Sequence, residues 1–179
     1  MPTTIGIARS SLSKALGPAI APGTIKVARQ AILELYLRLD ADVVVSQLMG
    51  GFDTLAAEVA IKAPSVSLLC LLPYPNQERF WNEERAEHFR EIVDRSDGYR
   101  YVTSGQMPCY AHEVEKSLMI EQMRADAALA AQSDAIAYLG HTCEDAGQTW
   151  RFARDEGKPA WRLDPQSLLR RSPVWVQDA

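Results

Sequence analysis

DVVVSQLMGGFDTLAAEVA (residues 42–60) joins an apolar, β-branched run to an alanine-rich one, with two adjacent glycines and then an acid at the junction. The first part suits a strand and the second a helix. Met49, Gly50, Gly51 and Phe52 then form the tight connection at the strand's carboxyl edge, where doubly wound sheets build their ligand crevice. Glycine reaches positive φ without steric cost and lets a ligand approach the main chain. The free amides at the start of the following helix suit a phosphate or another anion. Asp53 is read first as the N-cap of that helix, accepting its first amides, and second as a partner for a ribose hydroxyl or a nucleobase edge. By itself the glycine pair is neither a dinucleotide GxGxxG nor a P-loop.

The same alternation extends in both directions. Short apolar runs recur at TIGIA (4–8), DVVVSQL (42–48), VSLLCLL (66–72), YRYVT (99–103), AIAYLG (135–140) and PAWRL (159–163), with helical stretches between them. Alternation of this kind predicts parallel strands joined by crossover helices. Runs that are apolar almost throughout suit central strands covered on both faces. The predicted fold is therefore α/β: a three-layer, Rossmann-like sandwich with a mainly parallel central sheet. The 179 residues, 47% of them hydrophobic, suffice for one domain with a sizeable core, and residues 172–179 read as a C-terminal tail.

Several helix boundaries are legible. Thr24 is the expected cap of a helix that carries Ile25, Ala28, Ile32, Leu35 and Leu39 on one face and Lys26, Arg29, Gln30 and Arg38 outward. Asn76 is the expected start of a charged helix running to Arg95, with a wet outer face. A long helix is predicted from Ala111 to Ala131, with Val114, Leu118, Ala125 and Leu129 on its core face and Met119 and Met123 beside them. The last main helix runs from Asp145 to Glu156 and stops at Gly157, with Pro159 just beyond. LGPAIAPGT (16–24) reads as a loop after the first strand.

Composition narrows the function classes. A net charge of −4 disfavours a dedicated nucleic-acid binder, which needs a basic face to neutralise phosphates. Cys70, Cys109 and Cys143 are odd in number and lack the paired spacings of zinc sites or disulfide frameworks, so free thiols in a reducing cytosol are expected. His88, His112 and His141 have no short metal-ligand spacing, and no metal is expected. The N-terminus MPTTIGIARS lacks the charge and apolar core of a signal peptide, and no apolar run is long enough to span a bilayer. A soluble cytoplasmic protein is the expectation.

A resemblance spread along the chain adds to this. The order of SQLMGGFDTLAAEVA, LLPYPNQERFW, RADAALAAQSDAIAYLG and EDAGQTWRFARDEGKPAWRLDP resembles the YpsA-like branch of the SLOG superfamily, a Rossmann-like group related to the LOG phosphoribohydrolases and to DprA. It covers nearly all of residues 4–166. Gly51-Phe52-Asp53 ahead of Ala56-Ala57-Glu58 resembles the family's Gly-x-acid turn before an Ala-Ala-Glu helix. Pro73, Gln77 and Trp81 resemble its segment after strand three, and Ser133-Asp134 and Gly147-Gln148-Thr149 resemble its later turns. The chain departs from the pattern at Ser46-Gln47, at Gln148 and in the Ala8-Arg9-Ser10-Ser11 loop.

The resemblance implies a nucleotide or nucleotide-derived ligand, such as NAD, ADP-ribose or a nucleoside monophosphate. Gly50 and Gly51 would lie near its phosphate or ribose, and Asp53 near a polar edge. Ser10, Ser46 and Thr149 can supply hydroxyl donors, Arg9 or Arg124 positive charge, and Phe52 a stacking face, although an aromatic beside a turn more often packs inward. Gly140 and His141 follow the fifth strand at the same edge, and His141 is a further candidate contact. Two alternative functions are carried. LOG kinship suggests N-glycoside hydrolysis of nucleoside monophosphates with Glu58 as the carboxylate, although Glu58 can equally be a solvent-facing helix residue. The apolar tail Val174-Trp175-Val176 suggests docking on its own domain or on a second subunit, and hence an interaction module that forms homo-oligomers.

Overall fold

Each of the six apolar runs becomes a strand of one sheet in the computed structural model, which describes residues 2–103 and 111–178. The elements follow in the order β1 (Thr3–Ile7), α1 (Leu12–Leu16), α2 (Pro22–Arg38), β2 (Ala41–Ser46), α3 (Phe52–Lys62), β3 (Ser67–Leu72), α4 (Glu83–Arg95) and β4 (Gly98–Tyr101). Then come α5 (Ala111–Gln132), β5 (Ala135–Leu139), α6 (Gly147–Asp155), β6 (Ala160–Leu163), α7 (Pro165–Leu169) and β7 (Trp175–Asp178). The seven strands lie in the order β4-β3-β2-β1-β5-β6-β7, all pairs parallel except β6 with β7.

Continuous apolarity has the expected consequence. All five residues of β5 are buried, because helices cover both faces of the sheet. One face carries the larger core: Ile5, Ile7, Val44, Leu68, Cys70 and Leu139 pack against Ile32 and Leu35 of α2, Phe52 and Ala56 of α3, and Ile92 of α4. On the other face Val45, Leu71, Ile136 and Tyr138 meet Leu129 and Ala130 of α5 and Ala153 of α6. These are the three layers of a Rossmann-like sandwich. Burial pushes the Cys70 thiol up to about 11, as a core position requires. Among the described residues no helix is long and apolar enough to cross a membrane.

Local chemistry moves several boundaries. Helix α2 begins at Pro22 and not behind a Thr24 cap: the proline ring pre-sets φ for a first turn that needs no amide donor, and Thr24 is buried inside that turn. Asn76 adopts a left-handed conformation and opens only a short 3₁₀ turn, Gln77–Phe80, after which the chain straightens at Trp81. Asn82 caps α4, accepting from the Arg85 amide at 2.9 Å, and Glu83 and Glu84 complement the helix dipole. Thr142 and Asp145 form a capping box on a 3₁₀ turn over Cys143–Ala146, and α6 starts only at Gly147, where φ is +62°. A short helix, α1, precedes the stretch expected to be a loop (16–24), which overlaps it only at Leu16 and runs into α2 at Pro22; α1 is capped by Ser11, whose hydroxyl accepts from the Lys14 amide at 3.1 Å.

The structure corrects one reading of apolar residues and decides between the alternatives of another. On α5, Ala125 and Leu129 are buried, but Met119 and Met123 are largely exposed; the side chains of His112 and Val114, like the whole of Cys109, fall outside the described residues. The tail docks on its own domain as a seventh strand, with Trp175 opposite Leu163 and Asp178 opposite Ala160. The Trp175 indole donates to the Ala31 carbonyl at 3.0 Å, and its ring tilts against Phe52 with centroids 6.4 Å apart. Asp178 accepts from the Tyr138 hydroxyl and from Arg162 Nε.

Candidate functional site at the sheet's switch point

The chain runs outward from β1 through β2, β3 and β4, then returns through α5 to lay β5 on the opposite side of β1. Loops leaving β1 and β5 therefore diverge, and a crevice opens outside the carboxyl ends of these strands. An open cleft of about 670 Å³ lies there. Arg9 and Ser10 to Ser13 line it from the β1 loop, Met49, Gly50 and Gly51 from the β2 turn, Asp145 and Gly147 from beyond β5, and Arg85 from α4.

The β1 loop is pinned across the switch point. The Ala8 amide donates to the Ala137 carbonyl at 3.0 Å, and the Ser10 hydroxyl accepts from the Leu139 amide at 3.1 Å. The Ser10 carbonyl in turn accepts from the Phe52 amide at 3.0 Å. That contact explains the second glycine: a Cβ on Gly51 would sit 2.5 Å from the Ser10 oxygen, and its φ of +91° is strained for any other residue. Gly50 also has a positive φ, +97°. Gly51 is the N-cap residue of α3, and no side chain caps that helix.

Asp53 does not cap the helix. It is the second residue of α3, fully buried, and its Oδ2 reaches back to accept from the Met49 amide at 2.7 Å. Burial pushes its carboxyl up to about 7, against the pull of the Met49 and Thr54 amides and of the Arg9 charge. Ser46 is fully buried as well; its hydroxyl donates to the Asp53 carbonyl at 3.1 Å and accepts from the Leu48 amide at 3.2 Å. Of the turn's amides, those of Leu48, Met49 and Phe52 are engaged internally, and among the described residues those of Gly50 and Gly51 have no intramolecular acceptor.

The sequence-derived residues thus fall into two sets. Arg9, Ser10, Gly50 and Gly51 come together on the cleft wall. Phe52, Asp53, Ser46 and Thr149 are buried beneath it, and Phe52 spends its ring on Trp175, so it presents no stacking face. Arg124 lies on the exposed side of α5, paired with Glu121 at 2.8 Å and away from the cleft lining. The side chain of His141 is exposed, and its amide donates to Asp145 Oδ2 at 2.8 Å. Gly140 is dictated by Asp145, whose Cβ would lie 2.5 Å from a Cβ added there. Glu58 lies outside this cleft, with Oε2 accepting from Arg29 at 2.6 Å and Oε1 paired with His88 at 2.9 Å.

Several wall residues escape a reading of the sequence, and two of them are charged. Arg85 donates to the Met49 carbonyl at 2.5 Å and stacks over the Trp81 ring, its guanidinium carbon 3.8 Å from the centroid. The four-residue spacing of Trp81 and Arg85 is its only trace in a segment whose charges suggest a solvated face. Asp145 is the other. Although partial burial pushes the Asp145 carboxyl up, the Lys14 ammonium at 2.8 Å and the amides of Thr142 and His141 hold it below its ordinary value. Lys14 is thereby neutralised, while Arg9 has no ion pair or hydrogen bond among the described residues. Arg9 and Arg85 are the cleft's available cationic donors.

Behind the β2 turn, on the other face of the sheet, Gln47 Nε2 and Gln122 Nε2 both donate to Asp126 Oδ1, at 3.1 and 3.0 Å. Burial raises the Asp126 carboxyl above its ordinary value. Among the described residues no group of three or more His, Cys, Asp or Glu side chains is placed to hold a metal ion.

The fold and the cleft together define a doubly wound α/β protein with an open, cation-flanked crevice at its topological switch point. The sequence matches no family model and no curated protein.

Proposed function

We propose that this protein binds a nucleotide or nucleotide-derived anion, in the manner of a SLOG-type sensing or sequestering protein, with the phosphate held at the Gly50–Gly51 turn. The observation that carries this reading is the pair of unengaged glycine amides on the wall of the switch-point cleft, flanked by the guanidinium groups of Arg9 and Arg85. Backbone amides with no Cβ in front of them, next to guanidinium groups that donate in a planar fork, match the geometry of a phosphate. The cleft volume of about 670 Å³ falls within the range of small-molecule sites. The resemblance of the Gly-Gly-x-Asp junction to the YpsA-like branch supports the same class of ligand.

Thermal denaturation of the purified protein with NAD, ADP-ribose, cyclic nucleotides and nucleoside monophosphates tests this. At a ligand concentration about 100-fold above Kd, stabilisation of about 2.7 kcal/mol is expected. It should disappear in the double variant Arg9→Ala/Arg85→Ala. A flat melting temperature across the whole panel contradicts the proposal.

A further inference from the structure

A second, smaller cavity of about 340 Å³ lies on the α3–α4 side of the same turn. It shares four walls with the main cleft, Leu12, Gly50, Gly51 and Arg85, so the two spaces meet around the glycine turn. Their chemistry differs. The main cleft is flanked by guanidinium groups, whereas Leu55, Trp81, Phe89 and Ile92 give the smaller cavity apolar walls. Trp81 and Phe89 pack edge to face at 5.4 Å, and Arg85 covers one face of Trp81 where the two spaces join.

Thr54, Glu58, Arg85 and His88 interrupt these walls, and of them Glu58 is the carboxylate. The Glu58 side chain is 18% exposed and is held by Arg29 on one oxygen and His88 on the other. A carboxylate has roughly four acceptor sites, so two are left for a further donor. An anion-binding cleft that opens into an apolar slot with a fixed acceptor is suited to a ligand that is charged at one end and flat and uncharged, with an N–H donor, at the other. A nucleobase joined to a sugar phosphate has that form.

We infer that the cavity between α3 and α4 receives the base of the ligand whose phosphate lies at Gly50 and Gly51, with Glu58 accepting a hydrogen bond from the base. The inference rests on the proposed nucleotide binding and names the base subsite for it. Hydrolysis is not required: Glu58 acts as a specificity-determining acceptor.

Titration calorimetry with two probes, ribose 5-phosphate and adenosine 5′-monophosphate, separates the two statements. The wild-type protein should bind the nucleotide at least about tenfold more tightly than the sugar phosphate, an increment of about 1.4 kcal/mol. Thr54→Trp, at a half-buried helix position that lines only the smaller cavity, should bring the nucleotide down to the affinity of the sugar phosphate and leave the latter unchanged. Glu58→Ala should remove at least half of the increment in free energy, which keeps the test open should the tryptophan variant fail to fold. If ribose 5-phosphate binds but the base adds nothing, or if both variants keep the full preference, the base subsite is overturned and the phosphate site stands. If neither probe binds, both statements fall.

Discussion

The two sides of the β2 turn contrast sharply. Toward the interior, Ser46, Phe52 and Asp53 are fully buried and bonded to their own chain. Toward the cleft, Arg9, Gly50, Gly51 and Arg85 form a wall with unengaged donors. The most motif-like residues of the junction, the second glycine and the acid, serve to fold the turn against the β1 loop; the cations that make it a site come from two other segments. Interior substitutions should therefore cost stability, and substitutions of wall cations should cost binding while the fold persists.

The largest effect belongs to Phe52→Ala, which empties the space between α3, the sheet and Trp175 and should lower unfolding free energy by about 3–5 kcal/mol in denaturant titration. A loss below about 1 kcal/mol would show that the ring is not a core element. Gly51→Ala comes next, at about 3 kcal/mol, because positive φ strain adds to displacement of the Ser10 carbonyl. Gly50→Ala, whose Cβ would meet only the far end of the Arg85 side chain, should cost less, and equal losses at both positions would erase the distinction.

Asp53→Asn tests the buried carboxyl through pH. The folded-state value of about 7 lies above the ordinary 3.8, so the native state holds a proton that the unfolded chain releases between those values. The contribution of this group to stability is present in full below about pH 4 and is lost as pH rises through about 7. A carboxamide does not titrate, so the Asp53→Asn variant should gain on the wild type by on the order of 2 kcal/mol between about pH 5 and pH 8. A pH-independent difference would mean that Asp53 stays charged in the fold. The smallest stability effect is expected at Arg9→Ala, within about 0.5 kcal/mol, accompanied by a loss of nucleotide affinity of about tenfold.

Legibility in the sequence follows the range of the interactions. The central strands are readable because a sheet covered on both faces demands apolar runs such as VSLLCLL and AIAYLG, whereas β4, exposed at the sheet edge, is legible from its β-favouring Tyr99 and Tyr101. β7 is not: four residues with two polar side chains show no strand pattern, and what places them is pairing with β6 and the fit of Trp175 against Phe52. Gly50 and Gly51 announce a tight turn at a strand end. The bond that turns Asp53 inward, from the Met49 amide, spans only four residues, but the turn that closes it is packed against the Ser10 carbonyl of the β1 loop, a tertiary fact. Arg85, 34 residues beyond Gly51, becomes a wall residue only because α4 packs beside α3. Arg124 is misplaced by the sequence for the same reason, since helical periodicity does not say which exposed face overlooks the cleft.

The most direct measurement is a crystal structure of the protein grown with a saturating nucleoside monophosphate. Phosphate density is predicted within hydrogen-bonding distance of the Gly50 and Gly51 amides, between Arg9 and Arg85. A nucleotide bound elsewhere, or a cleft holding only solvent at that concentration, would contradict anion binding at the glycine turn.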